Sequence, residues 1–263
     1  MDRIDYVIKL GGSAITNKDT PLSPNTEVIE SIAKELASLQ CRKRIALVYG
    51  GGSYGHFIAR RYLENGKISS PQGIAETRSA MLSLTKKLTD VFLSQGIPIF
   101  CINPSSCFIL KYGEPEPKAF FLKLILKALG AGLVPAIGGD IVLNKECTAR
   151  VLSGDTIARM LATELNAKAL LFGSDVDGIL YNNKVIKEIS KEEMKRMQSK
   201  VSGRNGDVTG GMAGKLKEVD KYLSQGGELS VIFNLTKLGV LTKILKGQEV
   251  EATYIRSHHK GVG

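Results

Sequence analysis

Residues 45–56 read Ile-Ala-Leu-Val-Tyr-Gly-Gly-Gly-Ser-Tyr-Gly-His, and this stretch decides the fold. The five apolar residues Ile45–Tyr49 have the length and composition of a buried β-strand. Three consecutive glycines follow, so the chain can turn there and leave its backbone N–H groups free for an anion. His56 then opens the helix that we expect next, where an anion is already favoured. Strand, glycine turn and helix in this order predict a βαβ unit.

The same order of strand and helix recurs along the chain. Other buried strands are predicted at Tyr6–Leu10, 97–102, 133–137, 169–172 and 229–233. Amphipathic helices are predicted after Ser23-Pro24-Asn25, over about 75–95, near 156–165 and over 213–224. We therefore predict an α/β fold, a three-layer αβα sandwich around a mostly parallel open sheet.

The composition has one anomaly, its glycine content. The chain has 28 glycines in 263 residues, about 11% against a usual frequency of about 7%. Many of them form clusters that follow predicted strands: Gly11 and Gly12 after the first, Gly50 to Gly52 after the second, and Gly138 with Gly139 after the strand that ends at residue 137. Ligands bind beyond the carboxyl ends of parallel strands, so these clusters predict an anion-binding cleft at one edge of the sheet.

The charge and the cysteines exclude several classes of protein. The formal net charge is +10, but lysine and arginine are spread along the chain and only 6% of residues are aromatic. An acidic small molecule therefore fits better than a nucleic acid. We see no apolar run of bilayer length and no secretory leader, so we expect a cytoplasmic protein without a membrane partner. The four cysteines lack CxxC spacing, and we expect free thiols rather than a zinc site.

Candidate chemistry lies in and beside the glycine clusters. Lys9 precedes Gly11-Gly12-Ser13, and Lys215 follows Gly210-Gly211-Met212-Ala213-Gly214. The second stretch is similar to a Walker A loop but does not have the residue spacing of one. We expect Lys215 to contact phosphate at a helix start. Asp155 is either the N-cap of a helix or a carboxylate that orients lysines. The turn after Lys9 either holds a phosphate or is an ordinary turn at the end of a strand, and without further context Lys18 is a surface lysine.

The candidate residues include several cationic side chains and few general bases. No nucleophile–base pair for covalent catalysis is apparent. The turn over 173–179 carries two aspartates but lacks EF-hand spacing, and we predict no metal-ligating residues there. Phosphoryl transfer needs positioning and charge neutralisation more than covalent chemistry, so these candidate residues are suited to it.

The order of the motifs resembles that of the amino acid kinase superfamily over nearly the whole chain. These motifs are KLGGS, GGGSYGH, GGD, SGD, SDVDGI and DVTGGMAGK. The histidine of GGGSYGH and the ITNK after KLGGS resemble its archaeal isopentenyl phosphate kinase branch. The resemblance implies one domain with an acceptor-binding lobe over about 1–166 and an ATP-binding lobe over about 167–263. It also implies a homodimer that uses ATP and Mg²⁺ to convert isopentenyl phosphate into isopentenyl diphosphate in the mevalonate route to isoprenoids.

The resemblance assigns roles to single residues. Lys9 and Lys215 would neutralise the transferring phosphoryl group, Lys18 would stabilise the transition state, and Asp155 would organise the lysines. The acceptor's phosphate would be bound by His56 and by the backbone around Gly51, Gly52 and Gly139. The implied nucleotide site consists of Lys9, Gly11, Gly12, Ser13, Gly52, Ser174, Asp175, Gly211 and Lys215.

Some features of the acceptor site stay open. A histidine that is partly protonated near neutral pH can donate to a phosphate oxygen, whereas an isoprenoid tail needs an apolar pocket. Met81, Leu84 and Leu88 share one helix face and either line that pocket or belong to the core. Tyr49 and Gly138 depart from the family pattern, which often has a histidine and an aromatic residue at these positions.

Two other functions are compatible with the sequence. The first is another small-molecule kinase of the superfamily with a different phosphate or carboxylate acceptor. The second is a non-catalytic nucleotide sensor or nucleic-acid binder that uses the net positive charge.

Overall fold

The computed structural model describes residues 3–39, 44–111, 114–117, 120–182, 184–201 and 210–257. Cys41 and residues 207–209 of the last motif lie outside these ranges. Within them the helices are α1 (Gly12–Ile15), α2 (Thr26–Ser38), α3 (Gly52–Ala59), α4 (Pro71–Ser94), α5 (Pro104–Cys107), α6 (Phe120–Gly130), α7 (Gly154–Glu164), α8 (Lys191–Val201), α9 (Gly210–Ser224) and α10 (Val240–Leu245).

The first eight strands are β1 (Tyr6–Leu10), β2 (Ile45–Tyr49), β3 (Leu63–Glu64), β4 (Lys67–Ile68), β5 (Ile99–Ile102), β6 (Phe108–Lys111), β7 (Glu114–Pro117) and β8 (Val134–Gly138). The others are β9 (Asp140–Leu143), β10 (Ala149–Leu152), β11 (Ala169–Ser174), β12 (Leu180–Tyr181), β13 (Lys184–Val185), β14 (Glu188–Ser190), β15 (Leu229–Asn234) and β16 (Ala252–Arg256).

Eight strands form the central sheet in the order β14-β16-β15-β11-β1-β2-β8-β5. Every neighbouring pair is parallel except β15 and β16, so the predicted mostly parallel sheet is confirmed. All six predicted strands belong to it. The sequence analysis missed β14 and β16, which are short and mix apolar with polar residues at one side of the sheet.

The sheet separates two hydrophobic cores, which confirms the three-layer sandwich. Side chains alternate along β1: Val7 belongs to one core and Ile8 to the other. The core on the side of Val7 includes Leu161 of α7 and Val219 of α9. The other core is covered by α2, α3, α4 and α10.

The predicted helices are present, but α9 begins earlier than expected. The pattern predicted a start at residue 213, whereas α9 begins at Gly210. Gly211 and Gly214 are therefore helical and do not form a loop before Lys215. Glycine in a helix costs about 1 kcal/mol relative to alanine, which is why the pattern placed the helix after this cluster.

Smaller elements complete the fold around the sheet. β3, β4, β10 and β9 form an antiparallel sheet, and β6 pairs with β7 and β12 with β13. The cysteines in the described ranges are free thiols, as expected. Among the described helices none combines the length and apolarity that a bilayer span requires.

Candidate active site

The glycine turns meet at one edge of the sheet, as predicted. Leu10 at the end of β1 is in register with Tyr49 of β2 and with Gly173 of β11, and Tyr49 is in register with Gly138 of β8. A cavity of about 740 Å³ opens beyond these strand ends. All the site residues predicted from the sequence line it: Lys9, Gly11, Gly12, Ser13, Lys18, Gly51, Gly52, His56, Gly139, Asp155, Ser174, Asp175, Gly211 and Lys215.

The turns after β1 and β2 pack backbone against backbone, which explains much of the glycine content. A Cβ added to Gly12 would lie 2.5 Å from the Gly52 nitrogen, and one on Gly50 would lie 2.8 Å from the Gly12 nitrogen. Gly52 also has a φ of +46°, a conformation that other residues rarely adopt. Glycine is thus required here by contact between the two turns as well as by room for a ligand.

Thr16 links the same two turns, and the sequence analysis missed it. Its hydroxyl donates to the Gly12 carbonyl over 2.7 Å and accepts from the Ser53 N–H over 2.9 Å. The backbone N–H groups of Gly12, Ser13, Gly51 and Gly52 have no partner within the described part of the chain. They belong to residues that line the cavity, so they form an anion cradle.

Lys9, Asp155 and Lys215 form a buried cluster in the cavity wall. The Lys9 Nζ lies 2.8 Å from the Asp155 Oδ1, and the Lys215 Nζ lies 3.5 Å from the Asp155 Oδ2. The two lysine side chains are only 10% and 6% exposed. Two ammonium groups share one carboxylate, so the cluster presents an excess positive charge to the cavity.

Burial and mutual charge tune this cluster. Burial, together with the Lys9 charge, lowers the pKa of Lys215 to about 8. Burial alone would raise the pKa of Asp155, but the charges of Lys9 and Lys215 outweigh it and hold that pKa below its ordinary value. Asp155 is therefore a carboxylate that orients lysines. The N-cap interpretation of Asp155 is wrong, because Ser153 caps α7 by accepting from the Asp155 N–H over 3.1 Å.

A second ion pair holds the helices that carry Asp155 and Lys215. Arg159 lies one turn beyond Asp155 on α7, and Glu218 lies one turn beyond Lys215 on α9. The Arg159 Nε lies 3.0 Å from the Glu218 Oε2, and both side chains are largely buried. This ion pair joins α7 and α9 one helical turn beyond the Asp155–Lys215 contact.

Lys18 lines the same cavity but has a different partner. Its ammonium group contacts the Asp175 carboxylate, which also accepts from the Ser13 hydroxyl over 2.8 Å. Burial would raise the pKa of Asp175, but these two hydrogen bonds lower it below its ordinary value. The Lys18 side chain is 62% exposed, so Lys18 is not part of the buried cluster.

His56 lines the cavity, but one expectation about it is wrong. It does not open α3, because the helix begins at Gly52 and places His56 in its second turn. Desolvation and the charges of Arg60 and Lys9 lower the pKa of His56 below its ordinary value, which favours the neutral imidazole. A neutral imidazole can still donate one N–H to an anion.

Arg60 is a cavity-lining cation that the sequence analysis missed. It follows His56 by four residues, and this helical spacing could have indicated a shared face. The prediction for α4 is confirmed in part: Met81 lines the cavity, whereas Leu84 and Leu88 are buried in the core. The apolar wall is completed by Phe57, Ile141, Val151 and Leu152, from α3, β9 and β10.

The glycines of α9 leave space at the other side of the cavity. A Cβ on Gly211 or Gly214 would meet nothing within 4 Å, and both residues line the cavity. Gly139 also lines it, but its N–H donates to the Tyr49 carbonyl over 2.7 Å. A Cβ on Gly139 would lie 3.2 Å from the Gly154 nitrogen, so this glycine is required by protein packing and offers a ligand no free N–H.

The described residues do not form a protein cage for magnesium. No group of three or more His, Cys, Asp or Glu side chains comes together within the described ranges. The three carboxylates among the described cavity residues are each paired with cations, Asp155 and Asp175 with lysines and Asp140 with Arg78 at 2.9 Å. The donor set fits Mg²⁺ only as an ion that the phosphates of a nucleotide bring with them.

Comparison with known proteins agrees with this geometry. The model of the amino acid kinase family matches residues 6–234. The isopentenyl phosphate kinase of Methanocaldococcus jannaschii is 37% identical over 95% of this chain and 97% of its own length. The chain belongs to the amino acid kinase family, among its isopentenyl phosphate kinases.

Two further relatives of the kinase agree in sequence and in fold. The isopentenyl phosphate kinase of Methanothermobacter thermautotrophicus is 30% identical and covers 96% of the kinase and 99% of its own chain. A solved isopentenyl phosphate kinase structure matches with a TM-score of 0.79 at 27% identity, over 95% of the kinase and 99% of that chain.

Proposed function

We propose that the kinase transfers the γ-phosphoryl group of ATP to the phosphate of isopentenyl phosphate and so makes isopentenyl diphosphate. An oxygen of the acceptor's phosphate attacks the γ-phosphorus, the bond from that phosphorus to the β–γ bridging oxygen breaks, and ADP leaves. No covalent enzyme intermediate is needed. The single observation that carries the proposal is the buried cluster of Lys9, Asp155 and Lys215 beside an amide cradle.

The cluster supplies what phosphoryl transfer needs. The transition state spreads negative charge over the oxygens of the travelling group, and preorganised cations lower its energy. Lys9 lies in a strand of the sheet and Lys215 in a helix, so their ammonium groups are held before ATP arrives. Asp155 keeps them in position without cancelling the excess charge. In this proposal Lys18 adds a third cation from the loop that precedes α2.

The acceptor binds at the side of His56 in this proposal. The N–H groups of Gly51 and Gly52 and the His56 imidazole donate to its phosphate, and the backbone of Gly139 lines the same cavity. The apolar residues around Met81 accommodate a tail that has no polar atom. Arg60 adds a charge near His56 and raises the attraction for an acceptor that is itself a phosphate.

ATP occupies the other side of the cavity in this proposal. Lys9, Gly11, Gly12, Ser13, Gly52, Ser174, Asp175, Gly211 and Lys215 form its site. Residues 1–166 then make the acceptor lobe and residues 167–263 the nucleotide lobe. Bound Mg²⁺ would be held by the ATP phosphates and would offset part of their charge. We further propose that the kinase is a cytoplasmic homodimer that serves isoprenoid synthesis.

A coupled assay of ADP release tests the function. The full chain with ATP and Mg²⁺ should turn over isopentenyl phosphate and should leave acetylglutamate and uridylate unchanged. Turnover of either of these, with none of isopentenyl phosphate, would support the alternative of another small-molecule kinase. ATP binding without turnover of any of the three would support a nucleotide sensor.

His56→Ala tests the acceptor site within the same assay. Loss of one donor to transferred or developing charge reduces turnover about a hundredfold. ATP binding should persist, because His56 is assigned to the acceptor. Lys87→Ala, a change at an exposed lysine of α4 that is not among the cavity-lining residues, is the control and should keep wild-type turnover. Wild-type turnover in His56→Ala would refute the acceptor role.

A further inference from the structure

We propose that Tyr49 is a positioning residue for the phosphoryl acceptor and that it acts with Gly138 as a size-matched pair. The inference rests on the proposed function. Tyr49 is 2% exposed and is not among the described residues that line the cavity, so it acts through its neighbours. Three different parts of Tyr49 contact three elements of the acceptor site: its ring, its hydroxyl and its carbonyl.

The ring occupies the space that a side chain at position 138 would need. Tyr49 ends β2 and Gly138 ends β8, and the two residues are in register on neighbouring strands. A Cβ on Gly138 would lie 2.6 Å from the Tyr49 Cε2 and 2.8 Å from its Cζ. Real Cβ atoms do not approach other atoms this closely. The Tyr49 ring therefore fills the space between the strands that a side chain at position 138 would need.

The hydroxyl connects Tyr49 to α4. The Tyr49 Oη lies 2.7 Å from the Thr85 Oγ1, and the Thr85 hydroxyl donates to the Met81 carbonyl over 2.8 Å. Because the Thr85 proton is used toward Met81, Tyr49 is the donor to Thr85. The chain of hydrogen bonds thus runs from Tyr49 through Thr85 to the residue that lines the acceptor side of the cavity.

Met81 in turn packs on the glycine turn that holds the acceptor. A Cβ on Gly51 would lie 3.1 Å from the Met81 Sδ, and one on Gly55 would lie 2.7 Å from it. The distance between α4 and this turn is therefore set by direct contact. Any shift of α4 that follows the loss of the Tyr49 hydroxyl moves Met81 against the turn.

The backbone of Tyr49 completes the arrangement. Its carbonyl accepts from the Gly139 N–H over 2.7 Å, and the next residue, Gly50, begins the glycine turn. Tyr49 thus holds Gly139, the glycine turn and Met81 at mutual distances that suit the acceptor. It touches none of the nucleotide-side residues Ser174, Asp175 and Gly211 in the described contacts. Its loss should therefore affect the acceptor and spare ATP.

The hydroxyl is tested by a double-mutant cycle of Tyr49→Phe and Thr85→Val with steady-state kinetics. Loss of one buried hydrogen bond should raise the KM for isopentenyl phosphate about three- to tenfold, with the KM for ATP unchanged. Because both changes remove the same bond, the double variant should be no worse than the worse single variant. Tyr62→Phe is the matched control, since the Tyr62 hydroxyl also binds α4, at Glu76, but away from the cavity.

The size match is tested by Gly138→Ala in two backgrounds. In the wild type it should raise the acceptor KM about tenfold or more, because the new Cβ meets the Tyr49 ring. In Tyr49→Leu, which lacks those ring atoms, the same change should alter the acceptor KM less than twofold. An equal effect in both backgrounds would overturn the size match. Should Gly138→Ala fail to fold, the hydroxyl cycle still decides the positioning role.

The failures of the two proposals are distinguishable. If the wild type turns over isopentenyl phosphate but Tyr49→Phe keeps its acceptor KM within twofold, the positioning role is overturned while the proposed function stands. A loss of thermal stability without a change in acceptor KM, or an equal rise of both KM values, also overturns it. A wild type that does not turn over isopentenyl phosphate refutes both proposals.

Discussion

Two groups of lysines and carboxylates face the same cavity, and they differ in burial and in the number of lysines per carboxylate. Lys9, Asp155 and Lys215 are buried and hold two cations on one carboxylate, whereas Lys18 and Asp175 form an exposed one-to-one pair. An exposed pair contributes about 0–1 kcal/mol, because water screens it. A buried charge costs several kcal/mol to desolvate, and an incoming phosphate can recover that cost. The buried cluster is therefore the part of the cavity prepared for phosphate.

The two groups also differ in the helices and strands that carry them. The buried cluster joins β1, α7 and α9, and the Arg159–Glu218 pair braces the two helices. Lys18 lies in the segment between α1 and α2, outside regular helix and strand. Its ammonium group can exchange a carboxylate for a phosphate without moving the sheet. We therefore expect the buried cluster to dominate catalysis and Lys18 to adjust it.

The largest effect should follow removal of the shared carboxylate. Asp155→Asn leaves Lys9 and Lys215 buried together without a counter-charge, and Lys215 then favours its neutral form. Turnover should fall about a thousandfold, the upper range for loss of one preorganised group. Single-turnover kinetics with saturating ATP measures this. Activity within tenfold of wild type would show that the cluster does not organise the reaction.

Lys215→Ala should have the next largest effect, because it removes a cation and leaves Lys9 and Asp155 as a neutral pair. Turnover should fall about a hundredfold and ATP affinity should weaken. Lys217→Ala, an exposed lysine of the same helix, is the control and should stay close to wild type. Isothermal titration with ATP and the ADP-release assay measure the two effects. Equal losses in both variants would contradict the distinction between buried and exposed lysines.

Lys18→Ala should have a smaller effect, about tenfold on turnover, with thermal stability unchanged. The exposed pair adds little to folding, but in the proposed function Lys18 reaches the transition state. Lys34→Ala, which breaks another exposed pair on α2, should change neither quantity. If Lys18→Ala reduced turnover as much as Lys215→Ala, burial would not determine how much each lysine contributes to turnover.

The smallest effect should come from pH. The pKa of Lys215 is lowered to about 8, so raising the pH through 8 removes its proton and leaves the cluster without excess charge. The kcat/KM for ATP, which reports the free enzyme, should therefore decline above pH 8, by less than about tenfold between pH 7 and pH 8.5. Lys215→Arg keeps its charge and should abolish this inflection even if it is slower. An inflection that persists in Lys215→Arg would assign it to another group.

Much of the fold and of the site could be predicted from local sequence. The predicted strands Tyr6–Leu10 and Ile45–Tyr49 have the same bounds in the structure. Short apolar runs that end at glycine are typical of buried strands. The predicted site residues line one cavity for a related reason: parallel strands place their carboxyl ends together. Helix starts were less predictable, since the glycines of α9 disfavour a helix locally and tertiary packing overrides them.

The differences from expectation concern properties that depend on surroundings. The pKa of His56 is lowered by desolvation, Arg60 and Lys9, and none of these is a property of the histidine itself. Leu84 and Met81 share one helix face and belong to the same core, yet only Met81 also lines the cavity. A helical repeat indicates which residues face inward, but it does not distinguish packed protein from a ligand cavity.

The sequence by itself determined the layered α/β fold, the edge of the sheet that carries the site and the residue types available there. Strand and helix periodicity and glycine turns act over a few residues, so local order is enough to specify them. Only the tertiary structure decided which charges meet. The pairing of Lys9 with Asp155, of Lys18 with Asp175 and the fit of Tyr49 to Gly138 join residues far apart in the chain. Such contacts depend on the packing of whole strands and helices, and no local pattern encodes them.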